Sequence, residues 1–190
     1  MSKLTNINIF GAPGVGKSTI SAGLFYHMKI RGHKVEFITE YAKELTYDKS
    51  YIKLKDQLLV FANQFHRYYK LQNIGLDYLI HESPFVMGLS YINPDDIIPE
   101  EEFKTLVLSL FNRTDNINIY IERNDKNEYQ EFGRNQNLEE SKKLEQTILN
   151  ILDSNNIPYI KLKSSKKTHK KILKIIKKHR KEMDENNKRK

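Results

Sequence analysis

The 190-residue chain contains no cysteine, only five prolines and eight glycines, and no long hydrophobic run. Without cysteine, disulfide frameworks, thiolate metal sites and cysteine nucleophiles are all excluded. No apolar run approaches the ~18 residues that a membrane-spanning helix needs. The first residues lead directly into an apolar strand and lack the apolar core of a signal peptide. We therefore expect a soluble, cytoplasmic protein without a membrane partner.

The formal net charge of +8 is distributed unevenly along the chain. Residues 161–190 hold fourteen Lys or Arg and three Asp or Glu, whereas residues 1–160 hold 18 basic and 21 acidic residues. A basic tail can contact nucleic acid or another polyanion. It can equally be a solvated helix with an apolar face, which we favour because four apolar residues recur at helical spacing. These are Ile172, Leu173, Ile175 and Ile176.

Short apolar segments alternate with longer amphipathic segments from one end of the chain to the other. Strands are predicted at 7–10, 35–39, 78–80, 117–121 and 157–162, and helices at 17–31, 54–74, 100–112 and about 138–153. The last of these helices begins with a predicted capping box, Asn137 and Glu140. A chain of this length suits one domain with a real core. The alternation predicts an α/β domain with a mostly parallel sheet.

The stretch from residue 11 to residue 19 fits the phosphate-loop pattern G-x-x-x-x-G-K-[ST] between a predicted strand and a predicted helix. Its glycines let backbone N–H groups converge on phosphate oxygens at the helix N-terminus. Lys17 can reach the β and γ phosphates, Ser18 can ligate Mg²⁺, and Thr19 can assist at the α phosphate. The sequence therefore predicts a nucleoside triphosphate site. Its residues are Gly11, Ala12, Pro13, Gly14, Val15, Gly16, Lys17, Ser18 and Thr19.

Two carboxylates follow predicted strands, where the ligand crevice of an open α/β sheet lies. Glu40 ends the second strand and can accept a proton from an attacking hydroxyl, unless it only caps the next helix or pairs with a surface lysine. Glu82 follows the third strand and can hold Mg²⁺. Its neighbours are His81, predicted to be a packed neutral histidine, and Ser83, a candidate substrate contact.

A polar stretch after the fourth predicted strand carries Arg123 and Arg134, with Tyr129, Phe132 and Gly133 between them. Arginines on a mobile loop above the phosphates can stabilise the charge that spreads during phosphoryl transfer. The alternative is a charged surface loop without a role in catalysis.

The chain resembles the P-loop nucleoside and nucleotide kinases, and most of all phage-encoded ATP-binding proteins similar to nicotinamide riboside kinases. The resemblance is carried by "GAPGVGKST", "VEFITEYAKEL", "QLLVFANQFHRYYKL", "DYLIHESP" and "YIERNDKNEYQEFGR", in the family's order. It implies a three-layer P-loop fold with a five-stranded parallel sheet, ATP with Mg²⁺, and an arginine-bearing lid. It also implies a kinase domain over 1–163, with the lid at about 123–137, and a basic helical tail over 164–190. Acceptor contacts are expected from Gln57, Gln64 and Arg67 on the long helix.

A kinase also agrees with what the sequence lacks. The chain has no room for the lid domain of an AAA+ ATPase and no Asn-Lys-x-Asp motif of a GTPase. The acceptor stays open among free nucleosides, nucleoside monophosphates, nicotinamide riboside and a hydroxymethylated base in DNA. The competing class is a nucleic-acid-associated ATPase or regulatory ATP-binding protein that uses the basic tail. The oligomeric state is open too, with a dimer among the expectations.

Overall fold

The computed structural model describes residues 4–93, 95, 97–124, 129–130 and 135–188. Its strands are β1 (Thr5–Phe10), β2 (Val35–Ile38), β3 (Tyr78–His81), β4 (Asp115–Glu122) and β5 (Ile160–Lys163). Its α-helices are α1 (Lys17–Lys29), α2 (Tyr41–Tyr47), α3 (Tyr51–Lys55), α4 (Gln57–Leu71), α5 (Glu100–Asn112), α6 (Leu138–Ser154) and α7 (Thr168–Lys188). A 3-10 helix covers Phe85–Tyr91.

The five strands form one sheet in the order β2-β3-β1-β4-β5, and every pairing is parallel. The predicted five-stranded parallel sheet is therefore confirmed. Because all strands point the same way, the segments that come after β1, β2 and β3 meet at one edge of the sheet. This edge carries the phosphate loop, Glu40 and Glu82.

Helices cover both faces of the sheet, which gives three layers. Successive residues of β1 point to opposite faces. Ile7 and Ile9 pack with α1 and α7 in one buried cluster, whereas Phe10 packs with α4, α5, α6 and the 3-10 helix in another. Among the helices that the structure describes, none is both long enough and apolar enough to cross a membrane.

The basic C-terminal segment forms α7, whose apolar face belongs to the core. Ile172 and Ile176 are buried in the same cluster as Ile7, with Leu173 and Ile175 partly buried beside them. The predicted amphipathic helix is thus confirmed. The basic segment that begins near residue 161 therefore shares the hydrophobic core of the preceding residues, since α7 covers one face of the sheet.

The prediction of one continuous helix over 54–74 is wrong. The chain forms α3 and α4 instead, separated at Asp56, whose side chain accepts a hydrogen bond from the Leu59 N–H (2.9 Å) and so caps α4. An aspartate that caps a new helix favours a restart over an uninterrupted helix.

The last strand begins three residues later than predicted, at Ile160. The capping box of α6 is confirmed, with both Asn137–Glu140 hydrogen bonds formed.

Candidate active site

A cavity of about 340 Å³ opens at the edge of the sheet where β1, β2 and β3 end. One side, which we call the loop wall, is formed by lining residues of the phosphate loop and of the first turn of α1. The other side, the helix wall, is formed by α2, the α3–α4 region, the turn after β3 and the 3-10 helix. The loop wall consists of Pro13, Gly14, Gly16, Lys17, Ser18 and Thr19. The helix wall includes Glu40, Tyr41, Lys43, Gln57, Phe61, Gln64, Glu82, Ser83, Phe85 and Tyr91.

Glycine is required at two positions of the loop wall. Gly14 and Gly16 have φ values of 83° and 93°, in the left-handed region that side chains disfavour. A Cβ atom on Gly14 would also lie 2.5 Å from the Tyr129 ring. The loop can therefore keep this course only with glycine at these positions, which leaves its backbone N–H groups free of side-chain cover.

Lys17 and Ser18 begin α1 directly at the cavity. Lys17 is 8% exposed, and its ammonium group donates to the carbonyls of Gly11 (2.8 Å) and Ala12 (3.2 Å) within the loop. The Ser18 hydroxyl donates to the carboxylate of Glu82, which is 4% exposed. A hydroxyl and a carboxylate in contact at the phosphate loop are oxygen ligands of the kind that Mg²⁺ prefers.

Glu40 stands between β2 and α2 and lines the cavity. It is the N-cap residue of α2, yet in the described structure its side chain makes no capping hydrogen bond. The capping alternative thus gains no support from the geometry. Burial first, and then the negative charge of Glu40, raise the pKa of the nearby Tyr91 hydroxyl. Both side chains face the same enclosed space.

The other predicted contacts on the helix wall differ in what they touch. Gln57 is buried, donates to the Leu54 carbonyl (2.9 Å) and lines the cavity. Ser83 is buried and lines the cavity too. Gln64 lines it as well, but its amide is engaged by the backbone of Thr39, Tyr41 and Ser83.

Arg67 lies outside the residues that line the cavity. Its guanidinium group forms a bidentate ion pair with Glu44, with N–O distances of 2.8 and 2.6 Å. Hydrogen bonding from Arg67 lowers the pKa of Glu44. The pair joins α2 to α4 and fixes the position of both side chains.

Arg123 supports the phosphate loop from outside the cavity. Its Nη2 donates to the Pro13 carbonyl (2.9 Å) and to the Ser141 hydroxyl (2.6 Å), and its Nε donates to Glu145 (2.6 Å). The guanidinium group also packs 5.5 Å from the centre of the Tyr129 ring. Arg134, together with Phe132 and Gly133, lies outside the described residues.

Sequence reasoning did not identify the aromatic part of the helix wall as a ligand surface. Phe61 recurs with other apolar residues at helical spacing, which predicts a core residue. Its ring does pack against Phe85, and it also lines the cavity. Tyr91 belongs to no quoted motif, and Tyr41 lies in the stretch VEFITEYAKEL without a predicted role; both reach the cavity through the tertiary fold. Lys43 lies in the first turn of α2, and only its closeness to Glu40 in sequence pointed to the site.

His81 is the packed neutral histidine that the sequence predicted. Burial lowers its pKa to about 3, and its Nε2 lies 2.9 Å from the Asn6 Oδ1. Its ring lies 6.0 Å from the Tyr68 ring of α4, and His81 is not among the residues that line the cavity.

Comparison with protein families decides the wider relationship. A family model described as an AAA domain matches residues 6–170. The chain belongs to this AAA-domain family. The match spans the phosphate loop, the whole sheet and the start of α7. In the described residues of this AAA-domain protein, α7 is the single helix after β5.

Solved structures similar to this AAA-domain protein include three of deoxyadenosine kinase from M. mycoides. The structure with bound dCTP is 18% identical, with a TM-score of 0.58 over 91% of this chain and 99% of that chain. The one with dCMP and a flexible dCDP is 19% identical, with a TM-score of 0.56 over the same shares. The structure with bound dATP is 21% identical, with a TM-score of 0.53 over 88% and 96%. The comparison with curated proteins finds no match. At these identities the likeness shows that the fold is shared.

Proposed function

We propose that this protein is an ATP-dependent kinase that transfers the γ-phosphate to a hydroxyl, or a phosphate, of a nucleoside- or nucleotide-type acceptor. The observation that carries the proposal is the shared cavity, in which a phosphate loop faces a strand-end carboxylate and an aromatic wall. A protein that only hydrolyses ATP needs the loop and a water-positioning group. It has no need of a second wall shaped for an organic acceptor.

The donor side is inferred from the loop wall. The loop N–H groups and Lys17 would hold the β and γ phosphates, with Thr19 near the α phosphate. Ser18 and Glu82 would hold Mg²⁺ together with phosphate oxygens and water, since no group of three or more acidic or histidine side chains able to hold a metal occurs among the described residues. The metal would neutralise phosphate charge. Chelation by EDTA should therefore silence transfer, and added Mg²⁺ should restore it.

The proposed chemistry is one in-line transfer. Glu40 accepts the proton of the acceptor hydroxyl while the acceptor oxygen bonds to the γ-phosphorus. The bond between that phosphorus and the β–γ bridging oxygen breaks, and ADP leaves. Lys17 stabilises the charge on the transferring group, and Arg134 is proposed to join it from the lid. Arg123, which lies outside the cavity, is proposed to assist through the loop that its bond to the Pro13 carbonyl holds in place.

The acceptor class is inferred from the composition of the helix wall. Phe61 and Phe85 offer ring faces against which a planar base can pack, and the Gln57 amide beside them can bond to a base edge. Near Glu40, the described part of this wall offers a single cation, Lys43. This favours an uncharged nucleoside over a nucleoside monophosphate, which needs more positive charge. Nicotinamide riboside, one of the acceptors that the sequence leaves open, also lacks a phosphate, but its pyridinium ring carries a positive charge.

The second candidate is a nucleic-acid-associated ATPase or regulatory ATP-binding protein, and a kinase of a hydroxymethylated base in DNA, the alternative within the kinase class, would use the same nucleic-acid contacts. The observation in its favour is the row of exposed lysines on α7. These are Lys170, Lys171, Lys174, Lys177, Lys178 and Lys181.

A coupled assay of ADP release separates the two candidates. Free nucleosides, nucleoside monophosphates, nicotinamide riboside, DNA and RNA are each added to protein, ATP and Mg²⁺, with hydrolysis measured in parallel. Stimulation by a small-molecule acceptor supports the proposal. Stimulation by DNA or RNA alone contradicts it and supports the second candidate.

A further inference from the structure

The strands β2 and β3 separate just before the two candidate functional carboxylates. Their parallel pairing ends with Ile38 opposite His81, and one further bond joins the Glu82 N–H to the Ile38 carbonyl (3.1 Å). Beyond that bond the sheet no longer holds the two segments together. Glu40 lies on one segment and Glu82 lies on the other, so their separation must be set by something other than the sheet.

The side-chain amide of Gln64 spans this gap. Its Nε2 donates to the carbonyls of Thr39 and Ser83, each at 3.2 Å, and its Oε1 accepts from the Tyr41 N–H at 3.1 Å. Thr39 and Tyr41 are the residues on either side of Glu40. Ser83 directly follows Glu82. One amide therefore contacts the neighbours of both carboxylates.

Burial makes these contacts difficult to replace. Gln64 is 5% exposed, and both of its N–H donors are used by backbone carbonyls. Water cannot readily substitute for a buried donor, and backbone groups left unpaired in such a place force the chain to reorganise. An apolar side chain of the same size would thus fill the space without holding the two segments.

A second residue of α4 holds the same turn from its exposed side. Arg67, one helical turn after Gln64, donates to the Thr39 hydroxyl (3.1 Å) and lies 5.2 Å from the centre of the Tyr41 ring. Through Gln64 and Arg67, α4 therefore contacts both neighbours of Glu40. Because Phe61 and Gln57 of α4 line the cavity, the helix proposed to meet the acceptor is also the helix that holds Glu40.

We infer that Gln64 is a positioning residue that fixes the placement of Glu40 relative to Glu82. This inference rests on the proposed function for its kinetic consequence, but the placement itself can be measured separately. Gln64 acts through the backbone of residues 39–41 and 83, and it does not itself touch the reacting atoms.

The kinetic test replaces Gln64 with Met, which keeps the length of the side chain and removes its hydrogen bonds. The kcat for transfer should fall about 10- to 100-fold, because a base displaced by about 1 Å loses alignment. The ATP Kd, measured by calorimetry, should stay within about twofold because the loop wall is untouched. The matched control is Asn63→Leu on the same helix, where the amide donates to the Leu59 carbonyl one turn back.

A double-variant cycle distinguishes positioning from general damage. In a Glu40→Gln background, Gln64→Met should lower kcat by less than about threefold, since the base it positions is already absent. Effects that multiply in full would overturn the inference. Arg67→Lys gives a second variant on the exposed side if Gln64→Met does not fold, and it should show the same non-additivity with a smaller effect.

Crystal structures of the wild type and Gln64→Met test the placement without reference to turnover. The separation of the Glu40 and Glu82 carboxylates should change by about 1 Å or more. An unchanged separation overturns the inference. A wild-type protein without acceptor-dependent turnover would instead contradict the proposed function, while the crystal comparison would still decide the role of Gln64.

Discussion

The loop wall of the cavity comes from the consecutive residues 13–19, whereas the helix wall is assembled from several stretches between residues 40 and 91. Backbone geometry shapes the first, through glycines at positive φ and a helix N-terminus. Side chains shape the second, and buried hydrogen bonds such as those of Gln64 hold its parts together. The difference suggests that donor binding is set locally and that acceptor choice depends on tertiary packing.

The largest expected effect comes from breaking the loop wall at Lys17. Lys17→Ala should lower transfer by about 10³-fold or more, because the cation that meets the γ-phosphate is removed. The unfolding midpoint should change little, since the Lys17 ammonium group bonds to carbonyls of the loop itself. Lys29→Ala, at the far end of α1 in an exposed pair with Glu36, is the matched control. Wild-type turnover in Lys17→Ala would refute the donor assignment.

A smaller loss is expected when the helix wall is changed at Glu40. Glu40→Gln keeps the shape and removes the base, so transfer should fall by about 10²-fold while ATP affinity persists. Glu36→Gln on the preceding strand β2 serves as control because its carboxylate pairs with Lys29 outside the cavity. If Glu40→Gln is fully active, Glu40 is not the base and Glu44 is the next residue to test.

The same division between the two walls governs how much of the site could be predicted from sequence. The pattern of the phosphate loop could be recognised from sequence, because it and its strand–helix context are local. Of its nine predicted residues, six line the cavity, whereas Gly11, Ala12 and Val15 are buried and do not line it. Glu40 and Glu82 could be predicted from their positions after apolar strands. The engagement of Gln64 with three backbone groups could not, since it depends on how α4 lies across β2 and β3. Arg123 likewise needs Ser141 and Glu145 of α6 as partners, which no local pattern indicates.

A third prediction concerns the buried support beneath the helix wall, where burial lowers the pKa of His81 from 6.5 to about 3. Between these values the unfolded chain binds a proton that the folded protein does not bind. This group alone should therefore make the free energy of unfolding fall by about 1.4 kcal/mol for each unit of pH below that upper value.

Urea unfolding between about pH 7 and about pH 5 measures this dependence. His81→Gln keeps a donor for the Asn6 Oδ1 and should show a shallower slope than the wild type. His66→Gln, at an exposed position of α4, should keep the wild-type slope. Equal slopes for the wild type and His81→Gln would refute the assignment of a neutral buried histidine.

The smallest effect is expected from the exposed lysines of α7, which belong to neither wall. Truncation would remove Ile172 and Ile176 from the core, so substitution is the cleaner test. Lys171→Gln/Lys174→Gln should change small-molecule turnover by less than about twofold, as Lys142→Gln/Lys143→Gln on α6 should. If nucleic acid is the partner, the α7 double variant should bind it more weakly, and the α6 double variant should not. The slope of log affinity against log salt concentration should fall by about one unit for each α7 lysine removed.

The most direct measurement tracks the γ-phosphoryl group itself. ATP labelled with ¹⁸O in the γ-phosphate is incubated with the protein, Mg²⁺ and a nucleoside panel, and the products are analysed by mass spectrometry. The account predicts labelled phosphate on one nucleoside, in an amount equal to the ADP formed. In Glu40→Gln this labelled product should fall by about 10²-fold. Labelled inorganic phosphate as the sole product, at a rate that does not depend on any added acceptor, would contradict it.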